Sequence, residues 1–128
     1  MDQKPLSGIR LLLVEDDASS RLYMNKILER AGASVLNAGD GMEAIRIAQE
    51  NPDIKIILMD IQLPLLDGYA ATMKIREFMK DVVVIAQTAY GIQGEQDELL
   101  ASTFDDYILK PILPQLLVEK ISSYLPGK

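Results

Sequence analysis

Three short runs of apolar residues lie along the chain, at residues 9–14, 54–59 and 82–86. Near-continuous apolar runs of this length are typical of strands that are buried on both faces of a parallel sheet. Two weaker runs, at residues 34–37 and 107–109, are further strand candidates. The pattern therefore predicts five short strands.

Segments with helical spacing of apolar residues follow each of these strands. The first places Leu22, Ile27 and Leu28 on one side and stops near Gly32, a residue type that commonly ends helices. The remaining segments lie at about residues 40–50, after Asp67, at roughly residues 92–101, and after Pro111. A regular alternation of strand and helix implies right-handed crossovers and a parallel sheet that helices cover on both faces.

The length of 128 residues corresponds to a single domain. Hydrophobic residues make up 48% and charged residues 25%, which excludes a disordered or collagen-like chain. The sequence has no apolar run of membrane-spanning length and no signal-peptide pattern, so we expect a cytoplasmic domain without membrane contact. We expect a flexible N-terminal segment at residues 1–8, the domain at residues 9–125 and a tail at residues 126–128.

Charge and residue types narrow the chemistry further. The net charge is −6 and no Lys/Arg cluster is present, so direct binding of nucleic acid is not expected. The chain has no Cys, which excludes disulfides and thiolate-bound metals, and no His, which excludes a histidine base or ligand. Any chemistry must therefore use carboxylates, hydroxyls and lysine.

The residues that end the predicted strands have this chemistry. In an open parallel sheet, ligands bind outside the carboxyl ends of the strands. These ends supply Glu15, Asp16, Asp17, Asp60, Thr88 and Lys110. Neighbouring carboxylates repel one another unless a cation lies among them, and an all-oxygen cluster suits Mg²⁺. A metal, a lysine and a hydroxyl around one carboxylate form a phosphoryl-transfer site, in which Asp60 would be the nucleophile.

Five segments at these strand ends make the chain resemble the receiver domain of bacterial response regulators over residues 8–125. They are Leu13–Asp17, Met59–Pro64, Leu66–Gly68, Gln87–Tyr90 and Asp105–Pro111. The sequences at residues 7–10, 67–72 and 85–90 are most similar to receivers of hybrid sensor histidine kinases. The resemblance implies a doubly wound α/β fold of the (βα)5 flavodoxin-like type, with five parallel strands in the order 2-1-3-4-5.

The resemblance also implies a role for each matching residue. Asp60 would accept the phosphoryl group, while Asp60, Asp16, the backbone carbonyl of Gln62 and, through a water molecule, Glu15 would bind Mg²⁺. Lys110, joined to Pro111 by a cis peptide, would bind the phosphate, and Thr88 and Tyr107 would be the switch residues. Gln62 and Ala89 lie at positions where the family varies its residues to set the lifetime of the phosphate.

The implied function is a phosphorylation-dependent switch in a two-component phosphorelay. A histidine kinase or a histidine phosphotransfer protein would donate the phosphoryl group, and the interaction surface would change in response. Such a domain helps to catalyse its own phosphorylation and dephosphorylation but is not a turnover enzyme. The formation of a homodimer on phosphorylation, the cognate partner and the output all stay open.

Several alternatives stay open as well. Asp16 and Asp17 can be helix N-caps, and Tyr107 can be a packing residue. A Mg²⁺-dependent phosphohydrolase with an aspartyl nucleophile would need a second carboxylate two residues after Asp60, where Gln62 stands. A receiver-like module without phosphorylation would be expected to lack one of the key residues, which are all present. One departure from the family is Thr103, which replaces the usual glycine and can reshape the turn before the last strand.

Overall fold

The computed structural model describes residues 4–61, 67–89 and 102–126. Its five strands form one parallel sheet in the order β2-β1-β3-β4-β5, which confirms the order that the resemblance implied. The strands are β1 (Arg10–Val14), β2 (Ser34–Ala38), β3 (Ile56–Asp60), β4 (Val83–Thr88) and β5 (Asp106–Leu109). All five overlap the apolar runs that predicted them.

Four helices connect or follow these strands in the described residues. They are α1 (Ala18–Arg30), α2 (Gly41–Glu50), α3 (Gly68–Arg76) and α4 (Pro114–Ser122). The helix predicted at about residues 92–101 lies outside the described residues. Asp17, Asp40 and Asp67 each cap a helix by accepting a hydrogen bond from the backbone N–H three residues later. The N-cap interpretation is therefore confirmed for Asp17.

The hydrophobic core lies in two layers, one on each face of the sheet. Alternate residues of β1 face opposite layers, with Leu11 and Leu13 in one and Leu12 and Val14 in the other. The first layer packs against α1 and α4, and the second packs against α2 and α3. Among the described residues, none of the helices has the length and apolarity that crossing a bilayer requires.

Residues 4–8, which belong to the N-terminal segment expected to be flexible, form a packed turn in the structure. The Leu6 side chain is fully buried in the first core layer, and its backbone N–H donates to the carbonyl of Ala31 at 2.8 Å. Gly32 has a φ of +105°, and a Cβ there would lie 2.9 Å from side-chain atoms of Lys4 and Ser7. The apolar leucine holds this segment against the end of α1.

The turn before β5, where Thr103 replaces the glycine usual in the family, is held by Arg76 at the end of α3. Its Nε donates to the carbonyl of Thr103 at 3.2 Å, and its Nη1 donates to the carbonyl of Val82 at 3.2 Å. Its Nη2 donates to Asp105 Oδ2 at 2.9 Å, and the same oxygen accepts from the backbone N–H of Val84 at 2.8 Å. These bonds tie α3 to the segments that enter β4 and β5.

Candidate functional site

Three acidic residues meet at the carboxyl ends of β1 and β3. Glu15 and Asp16 follow β1, and Asp60 ends β3, the strand that pairs with β1. One carboxylate oxygen from each residue lies within 4.8 Å of the other two. Glu15 and Asp60 are buried, whereas Asp16 is exposed. This all-oxygen donor set, open to water on one side, fits Mg²⁺, which uses few carboxylates and keeps several waters.

The backbone around Glu15 is held on both sides. Its N–H donates to the carbonyl of Ala38 at 3.0 Å, and its carbonyl accepts from Arg21 Nη1 at 3.0 Å. The side-chain Oε2 accepts from the backbone N–H of Asp17 at 3.1 Å. Burial raises the pKa of Glu15, and the charge of Asp60 raises it further, although the Asp17 N–H and Lys110 act in the opposite direction. The site therefore favours a proton or a cation beside Glu15.

Lys110 is the cation that the structure places there. Its Nζ lies 3.1 Å from Asp60 Oδ2 and 3.7 Å from Glu15 Oε1. Its backbone N–H donates to the carbonyl of Thr88 at 2.8 Å, which aligns the end of β5 with the end of β4. The peptide between Lys110 and Pro111 is cis, as the resemblance implied. The ammonium group thus bridges two of the three carboxylates.

The remaining predicted residues lie at different distances from this cluster. Thr88 ends β4 and is half-buried, at the same sheet edge as Asp60, and Ala89 beyond it is exposed. Tyr107 lies within β5 and is half-buried, with its ring centre 5.6 Å from Lys120 Nζ. It packs against the second core layer, so part of its surface has a packing role. Gln62 lies outside the described residues.

The start of α3 lies close to Asp60, and this close approach requires glycine at position 68. A Cβ on Gly68 would overlap the carbonyl oxygen of Asp60 and come within 2.9 Å of the Ile61 Cα. The N–H of Gly68 donates to the carbonyl of Ile61 at 3.0 Å, and the N–H of Ile61 donates to the carbonyl of Gln87 at 3.3 Å. The backbone of α3 thus lies directly against Asp60.

Arg21 was not among the residues that the sequence pattern indicated. It lies on the polar side of the predicted first helix, where charged side chains are ordinarily solvated. In the structure it holds the carbonyl of Glu15, six residues earlier in the chain. The sequence contains no signal for this contact, because the contact depends on how the loop between β1 and α1 turns.

Comparison with known proteins gives one family match and several similar proteins. Residues 11–122 match the model of the response regulator receiver domain. The chain is 35% identical over 124 residues to hybrid signal transduction histidine kinase I of Dictyostelium discoideum, a match that covers 91% of this chain and 7% of that protein. It is 34% identical over 118 residues to the polar-differentiation response regulator DivK of Brucella ovis, covering 90% of this chain and 94% of that one.

Two solved structures share the fold over most of both chains. One is the receiver domain of a sensor histidine kinase from Pseudomonas aeruginosa with a magnesium ion in its active-site cleft. It is 35% identical, with a TM-score of 0.83, and the match covers 95% of this chain and 100% of that one. The other is the receiver domain of the Saccharomyces cerevisiae response regulator Ssk1 in complex with the histidine phosphotransfer protein Ypd1. It is 30% identical, with a TM-score of 0.84, and the match covers 93% and 90%.

The relatives differ greatly in length. The chain spans 7%, 45% and 15% of the first three curated proteins that it matches, although it spans nearly all of DivK. The shared region is therefore one domain, which occurs both within long kinases and as a short regulator.

Proposed function

The chain belongs to the response regulator receiver domain family, and from this premise we propose that Asp60 accepts a phosphoryl group and thereby switches the domain's interaction surface. The observation that carries the proposal is the position of Asp60. It is buried within 4.8 Å of two further carboxylates, and Lys110 Nζ lies 3.1 Å from its Oδ2. An attacking carboxylate and a charge-neutralising lysine are two of the parts that phosphoryl transfer requires.

The proposed reaction is transfer from phosphohistidine. A carboxylate oxygen of Asp60 attacks the phosphorus atom, the P–N bond breaks, and its electron pair returns to the imidazole nitrogen of the donor. The product is an acyl phosphate on Asp60. Asp16, Asp60 and, through water, Glu15 would hold Mg²⁺, with the carbonyl of Gln62 as a further proposed ligand. When bound, Mg²⁺ supplies positive charge beside the transferred group.

The chain's own residues then respond to the new charge. Lys110 already contacts Asp60 and would pair with an oxygen of a phosphoryl group bound there. Thr88, at the neighbouring strand end, would donate its hydroxyl to another phosphoryl oxygen, with Ala89 beside it at the mouth of the site. Movement of Thr88 would leave space for the side chain of Tyr107, which is half-buried within β5. The result would be a shift between two populations of the β5–α4 surface.

We propose a histidine kinase or a histidine phosphotransfer protein as the phosphodonor. Support comes from the similarity to hybrid kinases and to a receiver that forms a complex with a histidine phosphotransfer protein. The chain itself has no histidine, so the donor must be another protein or another domain. The cognate donor can be sought by offering purified phosphohistidine proteins and following transfer of the label.

The test of the site is the intact mass of the protein after incubation with acetyl phosphate, with and without Mg²⁺. We expect one Mg²⁺-dependent phosphoryl addition that is absent in Asp60→Asn. Asp53→Asn, which changes an exposed aspartate paired with Arg10, is the matched control and should retain full uptake. Uptake that persists in Asp60→Asn would refute the assignment. If acetyl phosphate gives no addition, the same comparison is made with a phosphohistidine protein, and failure with both donors would reject the function.

A further inference from the structure

Gln87 is a buried polar residue that the proposed reaction leaves unexplained. It is fully buried, and among the described residues neither Nε2 nor Oε1 has a hydrogen-bond partner. Side chains alternate along β4, so Gln87 faces the same layer as Ile85, towards α1 and α4. Buried amides almost always have hydrogen bonds, so an unpaired one indicates a missing partner such as bound water.

A second unpaired atom lies at the same place. Glu15 Oε1 is buried without a hydrogen-bond partner in the described part of the chain. The Nζ of Lys110 lies 3.7 Å from it, which is close enough for charge attraction but beyond hydrogen-bond distance. A carboxylate oxygen that lacks a donor and an amide that lacks an acceptor are chemically complementary.

Both groups line one cavity of about 170 Å³ between α1 and the loop that follows β5. Its polar lining residues are Glu15, Gln87, Lys110, Ser20 and Tyr23, and Met24 and Ile112 are among its apolar ones. Water occupies about 30 Å³ per molecule in the liquid, so the cavity has room for several waters. The cavity is thus both large enough and polar enough on one side to hold water next to the acid cluster.

We propose that Gln87 is a positioning residue for Glu15, and that water held in this cavity joins the Gln87 amide to Glu15 Oε1. Nε2 would donate to the water, and the water would donate to the carboxylate. Gln87 Oε1 would accept from a second water in the same cavity. The proposal rests on the proposed function, because the orientation of Glu15 matters through its part in binding Mg²⁺.

The backbone places Gln87 well for this role. Gln87 is paired with Asp60 in the sheet register, and its carbonyl accepts from the N–H of Ile61 at 3.3 Å. Unlike Lys110, a neutral amide can hydrogen-bond a carboxylate without adding a positive charge that competes with Mg²⁺. When Lys110 turns towards a phosphoryl group, the Gln87 amide would continue to hold Glu15.

The direct test is the Mg²⁺ affinity of Gln87→Leu, measured by isothermal titration calorimetry. Loss of a group that orients a metal-binding residue typically weakens binding 10- to 100-fold, and we expect about tenfold here. Gln49→Leu makes the same substitution on the exposed side of α2 and should bind as wild type does. Circular dichroism checks the fold, and Gln87→Met, which keeps a long flexible side chain, is the second variant if the leucine protein does not fold.

A double-mutant cycle separates positioning from a general structural effect. If Gln87 acts through Glu15, Gln87→Leu should weaken Mg²⁺ binding much less in a Glu15→Gln background than in wild type. An equal loss in both backgrounds, or a Kd for Gln87→Leu within roughly twofold of wild type, would overturn the proposal. Wild-type protein that binds no Mg²⁺ would instead overturn the metal-dependent function and this inference with it, so the two failures are distinguishable.

Discussion

Replacing Lys110 with methionine removes the positive charge between two buried carboxylates while keeping most of the side chain's length. At an effective dielectric constant of about 20, the 3.1 Å contact with Asp60 and the 3.7 Å contact with Glu15 correspond to about 5 and about 4.5 kcal/mol. On the same scale, the repulsion between the carboxylates, which lie within 4.8 Å of each other, is at least about 3.5 kcal/mol. The variant keeps the repulsion and loses both attractions.

The measured loss in the free energy of unfolding will be smaller than these sums. The Lys110 side chain is 32% exposed, so water screens its charge and would partly solvate the carboxylates that it leaves. Removing one partner of a fully buried ion pair lowers the free energy of unfolding by about 3–5 kcal/mol. Because water screens Lys110, we expect Lys110→Met to lower it by about 2 kcal/mol in the absence of metal. Mg²⁺ should recover much of this loss, because it places positive charge among the same carboxylates.

The assay is urea unfolding followed by far-UV circular dichroism, in EDTA and with saturating Mg²⁺. The increase in unfolding free energy on adding Mg²⁺ should be larger for Lys110→Met than for wild type. Lys74→Met is the control, since its exposed pair with Glu77 should contribute less than about 1 kcal/mol. The reasoning is refuted if Lys110→Met is as stable as wild type in EDTA, or if Mg²⁺ stabilises both proteins equally.

Three further changes test the acid cluster, the N-terminal turn and the start of α3. Because its pKa is raised on folding, ionised Glu15 destabilises the metal-free protein, so in EDTA Glu15→Gln should raise the Tm at neutral pH. That gain should disappear as the pH falls below the ordinary value of 4.5, where Glu15 is protonated in both states; a gain that persists in acid would contradict the reasoning. Leu6→Ala should lower the free energy of unfolding in urea by about 2–5 kcal/mol, and a loss below ~0.5 kcal/mol would show that the turn at residues 4–8 is not anchored. Gly68→Ala should slow phosphoryl uptake from acetyl phosphate roughly 10- to 100-fold, because its Cβ displaces Asp60; an unchanged rate in a folded protein would contradict this.

Much of the fold and site follows from the pattern of residues along the chain. The apolar runs locate all five strands because strands of a parallel sheet are buried on both faces. The site follows because the carboxyl ends of such strands meet at one edge, so Glu15, Asp60 and Lys110 converge although they are far apart in sequence.

Other features depend on three-dimensional contacts that periodicity does not contain. Leu22 was predicted on the apolar side of the first helix, and this is wrong, because the residue is 58% exposed. The buried positions there are Met24 and Leu28, one turn apart, and Leu22 lies about 200° around the helix from Met24. The burial of Leu6 was equally hidden, because one leucine in a polar segment has no periodicity.

The attachment of Arg76 to the segments entering β4 and β5 has a consequence for how the molecule opens. The N–H of Val84 is bound by the Asp105 side chain, and the N–H of Asp105 is bound by the Val84 carbonyl, so both strands are held at the end remote from the acids. Amide hydrogens at this end should exchange with solvent more slowly than those at the opposite end. The amide of Lys110, at the opposite end of β5, can exchange through a smaller local opening. The sheet would thus open locally at the carboxyl ends of its strands, where the acidic residues lie, while the amino ends of β4 and β5 stay hydrogen-bonded.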